Sequence, residues 1–127
     1  MSALGTFCNQ VVAFIEDISE TYPEERDLVL GVQALKLMKQ ANPRMLHRLF
    51  MEYLPINVQE RILAEDEVFI KEHTKSIINS QFSEVMTLFW VFQKHWENMT
   101  ETNRQAIWKY LKSLVLLARK VPASALA

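Results

Sequence analysis

Glycine, cysteine and long apolar runs are scarce in this chain, and each scarcity argues against a class of protein. Two glycines and four prolines in 127 residues are too few for the many tight turns of an all-β fold. Two glycines also exclude the glycine-rich loops that bind phosphates and dinucleotides. The single cysteine, Cys8, excludes an internal disulfide and is typical of a reducing compartment.

Export and membrane signals are also missing from the sequence. Its longest uninterrupted apolar runs, such as residues 114–118, are far shorter than the roughly 18 residues that a membrane span needs. No basic region opens the stretch Met1-Ser-Ala-Leu, so we expect no signal peptide. These features predict an intracellular protein with no membrane partner.

Helical periodicity, in contrast, runs along almost the whole chain. Phe7, Val11 and Phe14 begin one amphipathic stripe, and another runs from Phe82 to Trp96. Pro43 and Thr100 have the residue types that start helices, as a first-turn proline and an N-cap. The pattern predicts an all-α fold, a compact bundle of five to seven helices with a hydrophobic C-terminal helical hairpin as its central pair. We expect residues 1–121 to form a single domain and residues 122–127 to be a frayed tail.

The two C-terminal helices, at about 81–97 and 101–120, are apolar on more than one face. Trp90 and Leu116 both fall off the main stripes of their helices. Such helices either form a hydrophobic hairpin at the centre of the bundle or expose a patch for association. The second alternative predicts a non-enzymatic protein-interaction module that binds a protein partner or a second copy of itself. Its predicted interface contains Trp90, Trp108, Tyr110 and Leu116.

Charges are segregated although the net charge is only −1. Six acidic residues lie between Glu16 and Asp27, and bases without an acid follow from residue 36 to residue 48. These blocks form opposite faces of the fold or neutralise each other across helices. The first possibility supports an alternative function, nucleic-acid binding through a basic helical patch: Lys36, Lys39, Arg44 and Arg48.

The sequence contains none of the residue spacings that are typical of metal-binding or catalytic sites. No histidine has a metal-binding partner three or four residues away, so we expect no metal and no cofactor. His47, between Arg44 and Arg48, is predicted to lie on a solvated helix face. Cys8 is predicted to be a small buried or half-buried thiol. We therefore predict no catalytic residues; a hydrolase or transferase would need acids or histidines gathered from separate helices.

Three segments carry a resemblance to a known group of proteins. They are Thr-Tyr-Pro-Glu-Glu-Arg-Asp-Leu28, Ala-Asn-Pro-Arg-Met-Leu46 and Asn-Arg-Gln-Ala-Ile-Trp-Lys-Tyr-Leu111. The pattern resembles short all-helical proteins encoded by nucleocytoplasmic large DNA viruses of algae and other protists. That resemblance implies a viral protein of the host cytoplasm or a minor component of the virion. It implies no catalytic residue.

Overall fold

The structure, a computed structural model, describes residues 2–80 and 84–127, without the side chains of residues 78–80 and 84–87. The described residues form helices and no strand, which confirms the all-α prediction. In chain order the helices are α1 (Ala3–Thr21), α2 (Arg26–Ala41), α3 (Pro43–Tyr53), α4 (Ile56–Leu63), α5 (Glu67–Ser80), α6 (Glu84–His95), a 3-10 turn (Trp96–Asn98), α7 (Glu101–Lys120) and α8 (Ala123–Leu126). Phe82, the first residue of the apolar stripe predicted to run to Trp96, lies outside the described residues.

Local sequence signals account for several helix starts. Pro43 occupies the first position of α3, and the Thr100 side chain caps α7 by accepting a first-turn backbone N–H at 3.1 Å. Both starts agree with the sequence prediction. Ser2 caps α1 in the same way at 3.0 Å, and Asp66 caps α5 at 3.1 Å. Each cap satisfies an N–H that has no acceptor inside its helix.

Helices α1 and α7 lie at the centre of the bundle. α1 packs against α2, α3 and α7, and α7 also packs against α4. α6 packs on α2 and α5 instead, and within the described ranges it has no extensive contact with α7. This arrangement corrects the prediction that the two C-terminal helices form the central pair. Trp96, the buried residue of the turn between them, packs nearly perpendicular to Trp108 with 5.8 Å between ring centroids.

The last residues of the chain are anchored to the bundle. Val121 is buried, and Ala125 and Leu126 pack against the core. The backbone carbonyl of Ala125 accepts a hydrogen bond from Nε of Arg44 at 3.1 Å. These contacts correct the prediction of a frayed tail. The anchoring residue lies 81 positions earlier in the chain, so no local pattern signals it.

In the part of the chain that the structure describes, no helix combines the length and the apolarity that crossing a bilayer requires.

Candidate interaction surface

Helix α2 exposes apolar side chains on the face that points away from the bundle. On its inner face Leu28 and Val32 are buried, and a side chain at Gly31 would meet Leu88 of α6 at 3.6 Å. Leu30 and Leu37 are, by contrast, 63% and 66% exposed. Residues seven apart in a helix share a face, so the two leucines form one stripe, about 10 Å apart along the helix axis.

The sequence alone predicts no role for these two leucines. The signal that marks them is their position off the inner stripe of Leu28, Val32 and Leu35, combined with their own spacing of seven. Because a helix with apolar residues on two faces is compatible with burial on both, only the packing of α2 identifies which face is open.

Helix α6, which packs beside α2, exposes Trp90. This side chain is 50% exposed, and the ammonium group of Lys94 lies 5.0 Å from the centre of its ring. Nζ of Lys94 is also 2.7 Å from Oε1 of Glu25, the residue that precedes α2. These contacts link Trp90, through Lys94, to the residue that precedes α2. We call Leu30, Leu37 and Trp90 the α2–α6 surface.

Glu25 holds α6 against the start of α2. Its Oε1 accepts from Nζ of Lys94 at 2.7 Å and shares a hydrogen bond with Nε2 of His95 at 2.8 Å. The hydrogen bonds from Lys94 and then from His95 lower the pKa of the Glu25 carboxyl. The His95 ring in turn stacks on Tyr22, with 4.1 Å between ring centroids. Helix α6, which carries Trp90, is therefore held against the start of α2 by a polar cluster at its C-terminal end.

That cluster contains possible ligands for a cation. Potential ligand atoms of Glu24, Glu25 and His95 lie within 4.8 Å of one another, and the described side chains offer no second group of this kind. A divalent cation would have to displace the Lys94 ammonium from Glu25 and would be repelled by it. We therefore assign no metal to this cluster.

Two of the predicted interface residues, Trp90 and Trp108, differ in their exposure to solvent. Trp90 is half exposed, whereas Trp108 is only 5% exposed and packs against Trp96 in the core. The prediction that Trp108 belongs to an interface is therefore wrong. Trp108 follows the buried Ile107 directly and lies on the inner side of α7, where the neighbouring helices cover it.

Tyr110 ties α7 to α1. Its hydroxyl donates a hydrogen bond to Asp17, and its ring packs on Phe14 with 5.0 Å between centroids. The hydrogen bond to Asp17, reinforced by desolvation, raises the pKa of Tyr110 to about 12. Tyr110 also borders a cleft of about 360 Å³ between the two helices. Its hydroxyl therefore has a structural role within the chain.

Leu116 is exposed as predicted, at 51%, and it is the one large apolar side chain that is exposed on α7 among the described residues. Within one turn of it on the outer side of α7 lie the basic residues Lys112, Arg119 and Lys120. Single exposed leucines are common on protein surfaces, whereas contiguous apolar groups mark binding sites. Leu116 is therefore a weaker candidate than the α2–α6 surface.

Three of the four bases proposed for nucleic-acid binding contact groups within the protein. Nζ of Lys36 is 2.8 Å from Glu16, and Nζ of Lys39 donates to the amide oxygen of Asn9 at 3.0 Å. Arg44 donates to the carbonyl of Ala125, and Arg48 is exposed. The basic block after residue 36 is thus partly neutralised by the acidic block of α1. This neutralisation weakens the argument for a phosphate-binding patch.

The histidines and the cysteine support the fold. His47 is buried and bonds through Nε2 to the Ala118 carbonyl at 3.0 Å, so the prediction of a solvated face for it is wrong. His73 bonds to the Tyr53 carbonyl at 2.7 Å. Cys8 is buried as predicted, and desolvation raises the pKa of its thiol. These side chains, which often act as bases or nucleophiles in enzymes, are engaged in packing and main-chain contacts.

Comparisons of the chain with models of protein families, with curated proteins and with solved structures found no match. Its function is therefore inferred from the geometry of the chain itself.

Proposed function

We propose that this protein is a non-enzymatic protein-interaction module that binds its partner through the α2–α6 surface. The observation that carries the proposal is the exposure of Leu30, Leu37 and Trp90, each half or more, on two adjacent helices. Exposed apolar surface is characteristic of association sites, and tryptophans that become buried on binding often dominate the binding energy of an interface.

Burial of these three side chains offsets only part of the free-energy cost of association. Full burial of a leucine contributes about 1.5–3 kcal/mol, so two leucines and one tryptophan together supply several kcal/mol. Association costs an estimated 4–15 kcal/mol in lost freedom of motion. The partner must therefore add contacts around this apolar centre, or the complex is weak and reversible.

The polar side chains support a binding role rather than a catalytic one. All three histidines bond to a carbonyl or carboxylate of the chain, through contacts to Ala118, Tyr53 and Glu25. The viral resemblance of the sequence suggests a setting for the interaction, either the host cytoplasm or the virion.

Affinity capture with tagged protein from host lysate tests the proposal, provided that the lysate is divided into nuclease-treated and untreated portions. We expect the wild-type chain to retain a stoichiometric protein partner after nuclease treatment. Leu30→Asp and Trp90→Glu should lose this partner while keeping the helical circular dichroism of the wild type. The matched control is Val68→Asp, which changes an apolar residue that is 74% exposed outside the surface.

Two results would contradict the proposal. The first is a partner that binds both surface variants as well as the control. The second is recovery of partners only in the untreated portion, which would instead favour the basic residues Lys36, Lys39, Arg44 and Arg48 and a nucleic-acid ligand. Steep weakening of binding with salt would accompany that outcome.

A further inference from the structure

The outer face of α2 carries a seam with the spacing of a helix-pairing surface. Arg26, Leu30, Gln33, Leu37 and Gln40 follow one another at intervals of four, three, four and three, and all five are exposed. This alternation keeps residues on one line of a helix and is the a/d pattern through which two helices pack. The two leucines flank a glutamine at the centre of the seam.

We infer that α2 is a homodimerisation helix, which pairs antiparallel with α2 of a second copy of this chain about a two-fold axis at Gln33. This inference rests on the proposed function and names a partner for the α2 part of the α2–α6 surface. In this pairing Leu30 of each copy packs on Leu37 of the other, and Arg26 lies opposite Gln40. Ala34 and Ala41 flank the seam and allow close approach of the two helices.

The residue on the axis suits a contact with itself. A glutamine amide contains both hydrogen-bond donors and an acceptor, so two copies of Gln33 can bond to each other across the axis. A polar residue within an apolar seam favours one register, because any shift would bury the amide against leucine without a partner. Gln33 therefore fixes the register of the two α2 helices, while the leucines supply the apolar contact between them.

Charge along α2 favours the antiparallel orientation. The exposed acids Glu24 and Asp27 lie at its beginning, and the exposed base Arg44, whose Nε bonds to the Ala125 carbonyl, lies on α3 just after its end. Antiparallel pairing places the acidic end of each helix beside the basic end of the other, and it also opposes the two helix dipoles favourably. Parallel pairing would place acid against acid and Arg26 against Arg26. The net charge of −1 adds little repulsion between the copies.

The size of the seam indicates a weak dimer. α2 has 16 residues and so extends about 24 Å, which is short for a stable interface. Two-fold symmetry doubles each contact, so four leucines are covered together. We therefore expect a reversible monomer–dimer equilibrium with a dissociation constant in the micromolar range.

Sedimentation of the full chain from low to high micromolar concentration tests for the dimer. We expect the wild type to shift from monomer to dimer, and Leu30→Asp and Leu37→Asp each to remain monomeric at every concentration. Leu116→Asp, the matched control on α7, should dimerise like the wild type. Helical circular dichroism of each variant separates loss of pairing from loss of folding, and the second leucine variant keeps the test valid if the first unfolds.

Disulfide trapping tests the orientation. Gln33→Cys should form a covalent dimer by itself under mild oxidation, because the two copies meet on the axis. Leu30→Cys and Leu37→Cys should form one efficiently only when mixed. The buried Cys8 can remain in place, since desolvation raises the pKa of its thiol and slows its reaction.

Three outcomes would overturn the inference: a wild type that is monomeric throughout, a dimer that persists in both leucine variants, or efficient trapping of Leu30→Cys with itself. If the wild type is monomeric in sedimentation but Leu30→Asp still abolishes capture of a partner, homodimerisation is overturned. The proposed interaction module is then unaffected. Failure of the capture experiment together with a confirmed α2 dimer would limit the proposed function to self-association.

Discussion

At the scale of single residues, exposure separates side chains that the sequence treats alike. Trp90 and Trp108 both occur on helices with apolar residues on more than one side, yet one is half exposed and the other is in the core. His47 follows the same principle, since its neighbours in sequence are basic but its own ring is buried. Such differences depend on which helices pack together, and spacing along one helix does not contain that information.

A prediction at this scale concerns Glu25. Lys94 and His95 lower the pKa of its carboxyl, so the folded state favours the ionised form. The resulting stabilisation is present above the unfolded pKa of about 4.3 and is lost as the pH falls through the lower folded value. Glu25→Gln should therefore reduce the free energy of unfolding near neutral pH, and the difference from wild type should shrink in acid.

Urea denaturation at a series of pH values measures this difference. Glu24→Gln is the matched control, because it removes the adjacent and more exposed acid, for which Lys94 and His95 provide no comparable hydrogen bonds. An effect of Glu25→Gln that is constant from neutral pH to acid would disprove the electrostatic link between α2 and α6.

At the scale of helices, two starts are readable from the residue types of the sequence. Thr100 and Pro43 begin helices where their residue types predict. The boundary between α4 and α5 is not readable in this way, because Glu65 makes the turn with a φ of 52° where glycine would be the usual signal. Its side chain accepts a hydrogen bond from Lys112 of α7, a distant contact that the local sequence does not reveal.

The Thr100 cap gives a prediction at this scale. Thr100→Ala should lower the free energy of unfolding by about 1 kcal/mol, since the backbone N–H of Asn103 loses its acceptor. Thr100→Ser should retain most of the stability because it keeps the hydroxyl. Chemical denaturation of the three proteins measures the effect, and Thr102→Ala, two residues into the helix, is the control. Equal losses for Thr100→Ala and Thr100→Ser would show that the hydroxyl is not responsible.

At the scale of the whole molecule, the central question is whether the helices share one core. Buried residues of α1, α2, α3, α4, α5 and α7 belong to a single apolar cluster, together with Trp96 and Val121. A chain of this size with one core is expected to unfold in one cooperative step.

We predict that tryptophan fluorescence and helical circular dichroism will follow the same urea transition. The Trp90→Phe variant sharpens the comparison, because its fluorescence then comes from Trp96 and Trp108 in the core. Loss of fluorescence at clearly lower urea than loss of helix would contradict a single core. If the chain dimerises through α2, the midpoint should also rise with protein concentration.

The sequence by itself determined the all-α class and the starts of α3 and α7, because periodicity and capping act within a few residues. It also indicated that more apolar surface exists than a two-sided bundle needs. Only the tertiary structure decided that α1 is the main neighbour of α7, that the tail is anchored by Arg44, and that Trp108 is buried. The tertiary structure likewise showed that the open face is that of Leu30 and Leu37, because exposure is a property of how helices pack, over distances in sequence that no local pattern spans.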